Sequence, residues 1–391
     1  MGIRRAPHQI RRLGAKPRAY GDPGRHRASS RADGGLDLPS VDISEMRVIV
    51  LVPAHNEEDQ IAETIQSLHL QQRKPDKIVV IADNCTDATE EIARTYGAEV
   101  IRTVGNRHKK AGALNQVLEV LLPDLDSRHA VLVMDADSAL HPGFIHNAVV
   151  RLAPGKLAAI GGTFTGKPGG GLVGMFQRNE YARYARDVRR LQGKALVLTG
   201  TATLFRALAL KEVVSARRAG GLPGRDQVYD VRVLTEDNEL TLALLHLRFR
   251  ILCPAECTLT TEVMETWADL FKQRLRWKRG ALENLMDYGW TQVTLPYWGR
   301  QLLSLVGIIV IFAYLAATMW SIVAGGLVIH PLWLAITVIF VIERIVTVSS
   351  RGPKQMAIAG LLFVEMVFDV FLQIAQAKAF WDAAWRRERK W

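Results

Sequence analysis

Cysteine is scarce in this chain of 391 residues: only Cys85, Cys253 and Cys257 are present. Three thiols cannot build a disulfide framework. Cys253 and Cys257 also lack the second pair or neighbouring His that a zinc site needs. The first 40 residues are poor in acids and aromatics, holding nine Lys or Arg against Asp22, Asp33 and Asp37, with Tyr20 as their one aromatic. A basic stretch without interleaved aromatics argues against a nucleic-acid partner. It reads as a disordered tail over residues 1–45, held near the headgroups of membrane lipids. No apolar core follows these charges, so no signal peptide is expected. Charge itself is missing from residues 301–342, where no Asp, Glu, Lys or Arg occurs. At about 20 residues per crossing, that run is long enough for two membrane-spanning helices.

The spans fall at about 302–325 and 331–348, with His330-Pro331 at the turn between them. The basic residues Arg351 and Lys354 favour a cytoplasmic return. A third apolar segment, about 356–380, carries Glu365, Asp369, Gln373 and Gln376 at helical spacing. Such a stripe faces protein or a water-filled path, and pairing with Glu343 or Arg344 is the plainer reading. A third span would put the basic residues 386–390 outside, against the charge rule, so this segment is interfacial or re-entrant unless the rule fails. Ahead of the spans, Trp267–Trp298 mixes aromatic and basic residues, as a membrane-interface segment does. The arginine-rich 173–191 reads as a helix with either a solvated face or one resting on headgroups. The divisions expected are a catalytic domain over 46–280, an interfacial segment over 281–300, a transmembrane region of two to three helices over 301–380, and a basic C-terminal tail over 381–391.

From Arg47 onward, short apolar runs alternate with helical patterns. The runs are Val48–Val52, Lys77–Ala82, Glu99–Val104, Ala130–Met134 and Ala158–Thr163; the helical patterns cover about 58–71, 87–96, 109–122 and 141–152. Asp87 with Glu90 suits a capped helix start. This alternation predicts an α/β fold with a mostly parallel sheet, whose ligands bind beyond the carboxyl ends of the strands. The most polar stretches lie there: Pro53–Glu58, Asp83–Asp87, Arg107–Gly112 and Asp135-Ala136-Asp137. Gly161 to Lys167 imitates a phosphate-binding loop, but Pro168 replaces the required hydroxyl residue and removes an N–H, so that reading is set aside.

Asp135 and Asp137 close the apolar run 130–134 one residue apart. Alternate residues of an extended chain point the same way, which aims both carboxylates at one place. Two like charges in an apolar setting are costly unless a cation shares them, and a hard divalent ion bridging carboxylates to substrate phosphates meets that need.

Taken in order, the Asn56-Glu57 pair, Asp83, Lys110, Asp135-x-Asp137, Thr235-Glu236-Asp237 and Gln273-x-x-Arg276-Trp277 resemble the family 2 inverting glycosyltransferases. Within them the chain is most similar to the membrane-embedded cellulose, hyaluronan and poly-N-acetylglucosamine synthases, closely over residues 46–290. The resemblance implies a GT-A-type nucleotide-sugar-binding domain. It implies a UDP-sugar site formed by Pro53, Asn56, Glu57, Asp83, Lys110, Asp135 and Arg276, with Asp83 accepting a hydrogen bond from uracil. Mg2+ or Mn2+ would sit on Asp135 and Asp137, against the diphosphate. Asp237 would be the general base, with Glu236 beside it. Thr201, Gln273 and Trp277 would line the acceptor site. One departure is Met264, where the family stretch Thr-Glu-x-Pro has proline.

The function expected on that resemblance is β-linked transfer from a UDP-sugar to a glycan acceptor, in polysaccharide synthesis, by a multi-pass protein of the cytoplasmic membrane. The alternative is a single transfer to a lipid or protein. A channel with a vestigial nucleotide domain, motivated by Glu365 and Asp369, is a weaker third. Residues 1–46 hold no transmembrane helix, so a homo-oligomer or an accessory export partner is expected to complete any polymer channel.

Overall fold

The computed structural model describes residues 35–326 and 331–385. The basic residues 1–34, His330 and the C-terminal 386–391 lie outside the described residues. Residues 35–45, expected to belong to the disordered tail, are instead laid along the domain. The N–H groups of Leu36, Leu38 and Val41 donate to Arg248, Gly155 and Ala153, and Leu36 and Leu38 pack on the core.

The chain then alternates strand and helix: β1 (Arg47–Ala54), α1 (Ile61–His69), β2 (Lys77–Ala82), α2 (Thr89–Thr95), β3 (Glu99–Arg102), α3 (Lys109–Leu121) and β4 (His129–Met134). After it come β5 (Ala139–Leu140), α4 (Phe144–Leu152), β6 (Ala159–Gly161), β7 (Thr163–Gly166), α5 (Gly171–Arg190), β8 (Ala202–Arg206) and α6 (Ala207–Arg218). The capping box expected of Asp87 and Glu90 does not form: Ala88 is the N-cap of α2, Asp87 one residue earlier accepts the Thr89 N–H at 3.1 Å, and Glu90 binds Arg94 and Arg102. The domain ends with α7 (Glu236–His246), β9 (Ile251–Leu252), β10 (Thr258–Thr261) and α8 (Trp267–Tyr288).

Seven strands form one sheet in the order β3-β2-β1-β4-β8-β6-β9. The pairs β3-β2, β2-β1, β1-β4 and β6-β9 are parallel; β8 runs antiparallel between β4 and β6. Alternation along the strands splits the core into two layers. Val48, Val50 and Val52 join Ala130, Leu132 and Met134 beneath α1 and α4. Ile49 and Leu51 join Val131 and Val133 beneath α3 and α6. The run Ala158–Thr163, expected as one strand, divides at Gly162: β6 stays in the large sheet while β7 pairs with β10 in a second, three-stranded sheet. Lys167 binds Glu63 and Gln60, which agrees with setting the phosphate-loop reading aside.

The C-terminal part contains α9 (Leu295–Val323), α10 (Pro331–Thr347), α11 (Pro353–Gly360) and α12 (Leu362–Ala384). Among the described residues, α9 is the one helix of sufficient length and hydropathy to cross a membrane, and only 6% of its apolar window is buried. The third apolar segment breaks at Leu361, and α12 lies against α8. Phe368 stacks on Phe176 at 4.8 Å and Phe371 meets Trp267 at 5.1 Å. Of the residues expected at the membrane interface, Phe271 packs on Phe371 at 5.7 Å, Trp267 remains 40% exposed despite its ring contacts, and Trp290 is exposed and stacked on Trp298. The boundary expected at residue 280 falls inside α8.

The two acids of the polar stripe are closed by ion pairs, whereas Gln373 Oε1 and Gln376 Nε2 are buried with no partner among the described residues. Arg344 binds both Glu365 and Asp369, and Arg183 of α5 binds Glu365 at 2.8 Å. Arg186 binds Glu343 at 2.6 Å. The plainer reading of the stripe is the one found, and the two acids that motivated a channel are paired. Two of the arginines of α5 serve this docking rather than a headgroup surface.

Candidate functional site

Strands β1, β2 and β4 end at one cleft of about 580 Å³, within the range that encloses a nucleotide-sized ligand. β1 supplies Pro53, His55 and Glu57; β2 supplies Asp83; β4 supplies Asp135 and Asp137. Lys110 enters from the first turn of α3, Glu236 and Asp237 from that of α7, and Gln273, Arg276 and Trp277 from α8. The cleft thus gathers the expected residues Pro53, Glu57, Asp83, Lys110, Asp135, Asp137, Thr201, Glu236, Asp237, Gln273, Arg276 and Trp277. Asn56 is not among its walls. Its side chain accepts the Thr86 N–H at 2.8 Å, tying the loops after β1 and β2 together. At φ +56° it is a turn residue, a role that suits asparagine. Asn84 and Lys109, in the loops after β2 and β3, share this left-handed backbone at φ +53° and +50°.

Asp135 and Asp137 do not share the extended geometry expected of them. β4 stops at Met134, and the pair occupies a turn closed by Ser138 N–H on the Asp135 carbonyl. They consequently take different partners. Asp135 receives Lys110 Nζ at 2.5 Å, whereas Asp137 Oδ1 accepts Ser138 Oγ at 3.0 Å and Thr261 Oγ1 at 3.3 Å. Both still line the cleft. Burial pushes Asp137 up to about 6, with Asp135 adding to the effect. Glu57 is pushed up to about 7 by burial and then by Asp137, Glu262 and Asp135. Among the described residues no three His, Cys, Asp or Glu side chains converge as a complete metal cage. Mg2+ uses one or two carboxylates and completes its shell with substrate phosphates and water, so mutually repelling oxygen donors fit such an ion.

A second cluster surrounds Gly200. Its carbonyl accepts Lys110 Nζ at 3.1 Å and its N–H donates to Asp237 Oδ2 at 3.0 Å. A Cβ here would lie 2.9 Å from Lys110 Nζ, so the lysine and the aspartate approach from both sides only because residue 200 has no side chain. Burial opposes the charge on Lys110, but Asp135 and then Glu236 hold its pKa well above the usual range. Asp237 is pushed up to about 6, by burial first and Glu236 second. A carboxylate poised there, inside a cleft, suits general-base work.

α8 delivers the wall of the cleft that carries Gln273, Arg276 and Trp277. Gly280 lets it pack directly on α7, since a Cβ would meet Thr235 Oγ1 at 2.5 Å, and Asn284 Nδ2 donates to the Thr235 carbonyl and Asn238. Arg274, almost fully buried, binds Glu180 at 2.7 Å and lies 4.4 Å from the centre of the Trp277 ring. Sequence reasoning missed Arg274, which holds Trp277 from behind. It also missed Phe164, Tyr181 and Glu262 in the cleft wall. Glu262 follows the last residue of β10, and the position of acids beyond strand ends was the signal available for it.

A family model described as "Glycosyltransferase like family 2" matches residues 46–280. Poly-beta-1,6-N-acetyl-D-glucosamine synthase of Staphylococcus aureus strain MSSA476 is 25% identical over 292 residues, covering 71% of this chain and 66% of that protein. The Staphylococcus epidermidis synthase is 26% identical over 252 residues, covering 62% and 56%. The chain thus spans less than two thirds of the length of these relatives, 66% of the one and 56% of the other. A mannosyltransferase of Pyrobaculum calidifontis, solved with GDP-Man and Mn2+, superimposes with a TM-score of 0.55 at 17% identity, covering 90% of this chain and 91% of that one. That likeness is one of fold, the GT-A type. With more than half its length matched to one family, and that half building the cleft, the chain belongs to the family 2 glycosyltransferases.

Proposed function

We propose that the chain is a membrane-anchored inverting glycosyltransferase that transfers a sugar from a UDP-sugar to a glycan acceptor, forming β-linkages in polysaccharide synthesis. The observation that carries this reading is the convergence of Asp237 and Lys110 on Gly200, with Asp135 bound to Lys110 and Asp137, Arg276 and Trp277 lining the same cleft. Asp83 holds the base at one end of the cleft, and Lys110 and Arg276 contribute positive charge for the diphosphate. Trp277 offers the acceptor sugar an apolar face, with Gln273 and Thr201 beside it. Asp237 takes the proton from the acceptor hydroxyl as that oxygen bonds to the anomeric carbon. The bond from this carbon to the diphosphate breaks, and UDP leaves with the electron pair from the face opposite the attack, which inverts the configuration. Asp135 and Asp137 would hold Mg2+ or Mn2+, which when bound would neutralise charge on the leaving group.

The same proposal places the catalytic domain on the cytoplasmic side of the membrane, anchored by α9 with α10 returning. The relatives' printed activity supports a β-linked amino-sugar polymer as product. Purified protein in detergent, given UDP-sugars and Mg2+ or Mn2+, is expected to release UDP and yield a ladder of products by mass spectrometry. A single adduct would transfer the reading to one-step addition. Absence of UDP release with every donor would remove it.

A further inference from the structure

The carboxylate at the base end of the cleft is already half occupied by the protein. Asp83 Oδ1 accepts three hydrogen bonds: from Thr103 Oγ1 at 2.8 Å, Asn106 Nδ2 at 2.8 Å and Asn84 Nδ2 at 3.0 Å. Oδ2 accepts none among the described residues and is not sealed from solvent. The orientation of Asn106 is fixed independently of Asp83. Its Oδ1 accepts the His108 N–H at 2.9 Å, and its Nδ2 also donates to the Lys109 carbonyl at 2.8 Å. An amide held in this way must present a donor, not an acceptor, to Asp83. Gly112 leaves room for it, since a Cβ there would lie 2.1 Å from Asn106 Oδ1.

Resting on the nucleotide-sugar reading above, we infer that Thr103, Asn84 and Asn106 are specificity residues that restrict Asp83 to a single-oxygen contact and so select uracil over guanine. Uracil presents one imide N–H, which one carboxylate oxygen satisfies. Guanine presents N1–H and the N2 amine side by side and needs both oxygens of a carboxylate. Oδ1 already accepts three donors from residues behind the cleft wall, so the second guanine donor finds no free acceptor there. A donor left unpaired on binding loses more affinity than one matched contact gains.

Thr103 and Asn84 can be altered without touching the bonds of Asn106 to His108 and Lys109. The test measures UDP and GDP binding to the full-length protein by isothermal titration in detergent, with Mg2+. The wild-type chain is expected to prefer UDP by at least about tenfold. Thr103→Val is expected to narrow that preference. Thr103→Val with Asn84→Gly, where glycine keeps the left-handed backbone, narrows it about tenfold, through a gain in GDP binding with UDP affinity retained. An unchanged preference in both variants, with UDP still bound, overturns the inference and leaves the transferase reading standing. Failure of the wild-type protein to bind either nucleotide overturns that reading, and the inference with it.

Discussion

Asp237 carries the sharpest expectation at the scale of single residues. Its pKa, raised to about 6 by burial and Glu236, means that a base acting through it is disabled as pH falls through 6. The rate constant kcat/KM should therefore rise with pH through an acid limb near 6. Glu236→Gln removes a raising charge and should move that limb to lower pH, while Asp237→Asn should cost about 100-fold or more in turnover. Stability has the opposite sign. The folded chain holds this proton more tightly than the unfolded chain, so stability falls as pH rises from about 4 through 6. Asp237→Asn should melt higher than wild type at pH 8, and a lower melting point there would contradict the burial argument. Chelation should stop UDP release, with recovery on adding Mg2+ or Mn2+. The residues legible in the sequence were those in short motifs with a chemical signature, such as Asp135-x-Asp137 and Gln273-x-x-Arg276-Trp277. Asn106 and Arg274 escaped notice because their roles depend on partners distant in sequence, Asp83 and Glu180 respectively. Even Asp135 and Asp137 were assigned the wrong local geometry, since apolar alternation says where a strand is buried but not at which residue its ladder stops.

At the scale of elements, the parallel half of the sheet was readable because β1, β2 and β4 are buried on both faces and read as continuous apolar runs. β8 was not, because Ala202–Arg206 sits inside a stretch without turn signals and its antiparallel place is set by β4 and β6. The junction of α7 and α8 matters most for activity, because it fixes the distance between Asp237 and the acceptor wall. Gly280→Ala would drive a methyl group into Thr235 Oγ1 and Cγ2, which lie 2.5 and 2.8 Å from the ideal Cβ position. Overpacking of this kind costs about 1–3 kcal/mol, and here it separates the two halves of the site. Turnover should fall at least about tenfold while UDP binding falls less, since Arg276 on α8 is displaced but Asp83 and Lys110, on other elements, stay in place. Thr235→Ala removes both clashing atoms, so the double variant should recover part of the loss. A double-mutant cycle in UDP release measures this coupling, and strict additivity would count against the packing account.

For the whole molecule, the question is how the apolar C-terminal helices and the domain that builds the cleft act as one body. The docking is concentrated on Glu365, whose side chain is 1% exposed and is shared by Arg183 of α5, Arg344 of α10 and Asn179. α12 continues from this point along α8, with the small residues Ala379 and Ala383 packed against Leu282. The helix carrying Gln273, Arg276 and Trp277 is therefore braced from outside by a segment whose sequence reads as membrane-embedded. Removing one partner of a buried ion pair costs about 3–5 kcal/mol, because it strands the opposing charge. Glu365→Ala leaves two arginines without their shared carboxylate. It should lower the melting temperature in detergent, open the chain around Leu361 to limited proteolysis, and reduce turnover by loosening α8. Replacing Glu365, Asp369, Arg183 and Arg344 together with Met should restore much of the melting temperature, since both carboxylates go with their arginines and no charge is left buried alone. If Glu365→Ala melts and turns over like wild type, α12 is not a brace, and the membrane helices serve only to hold the enzyme at the bilayer.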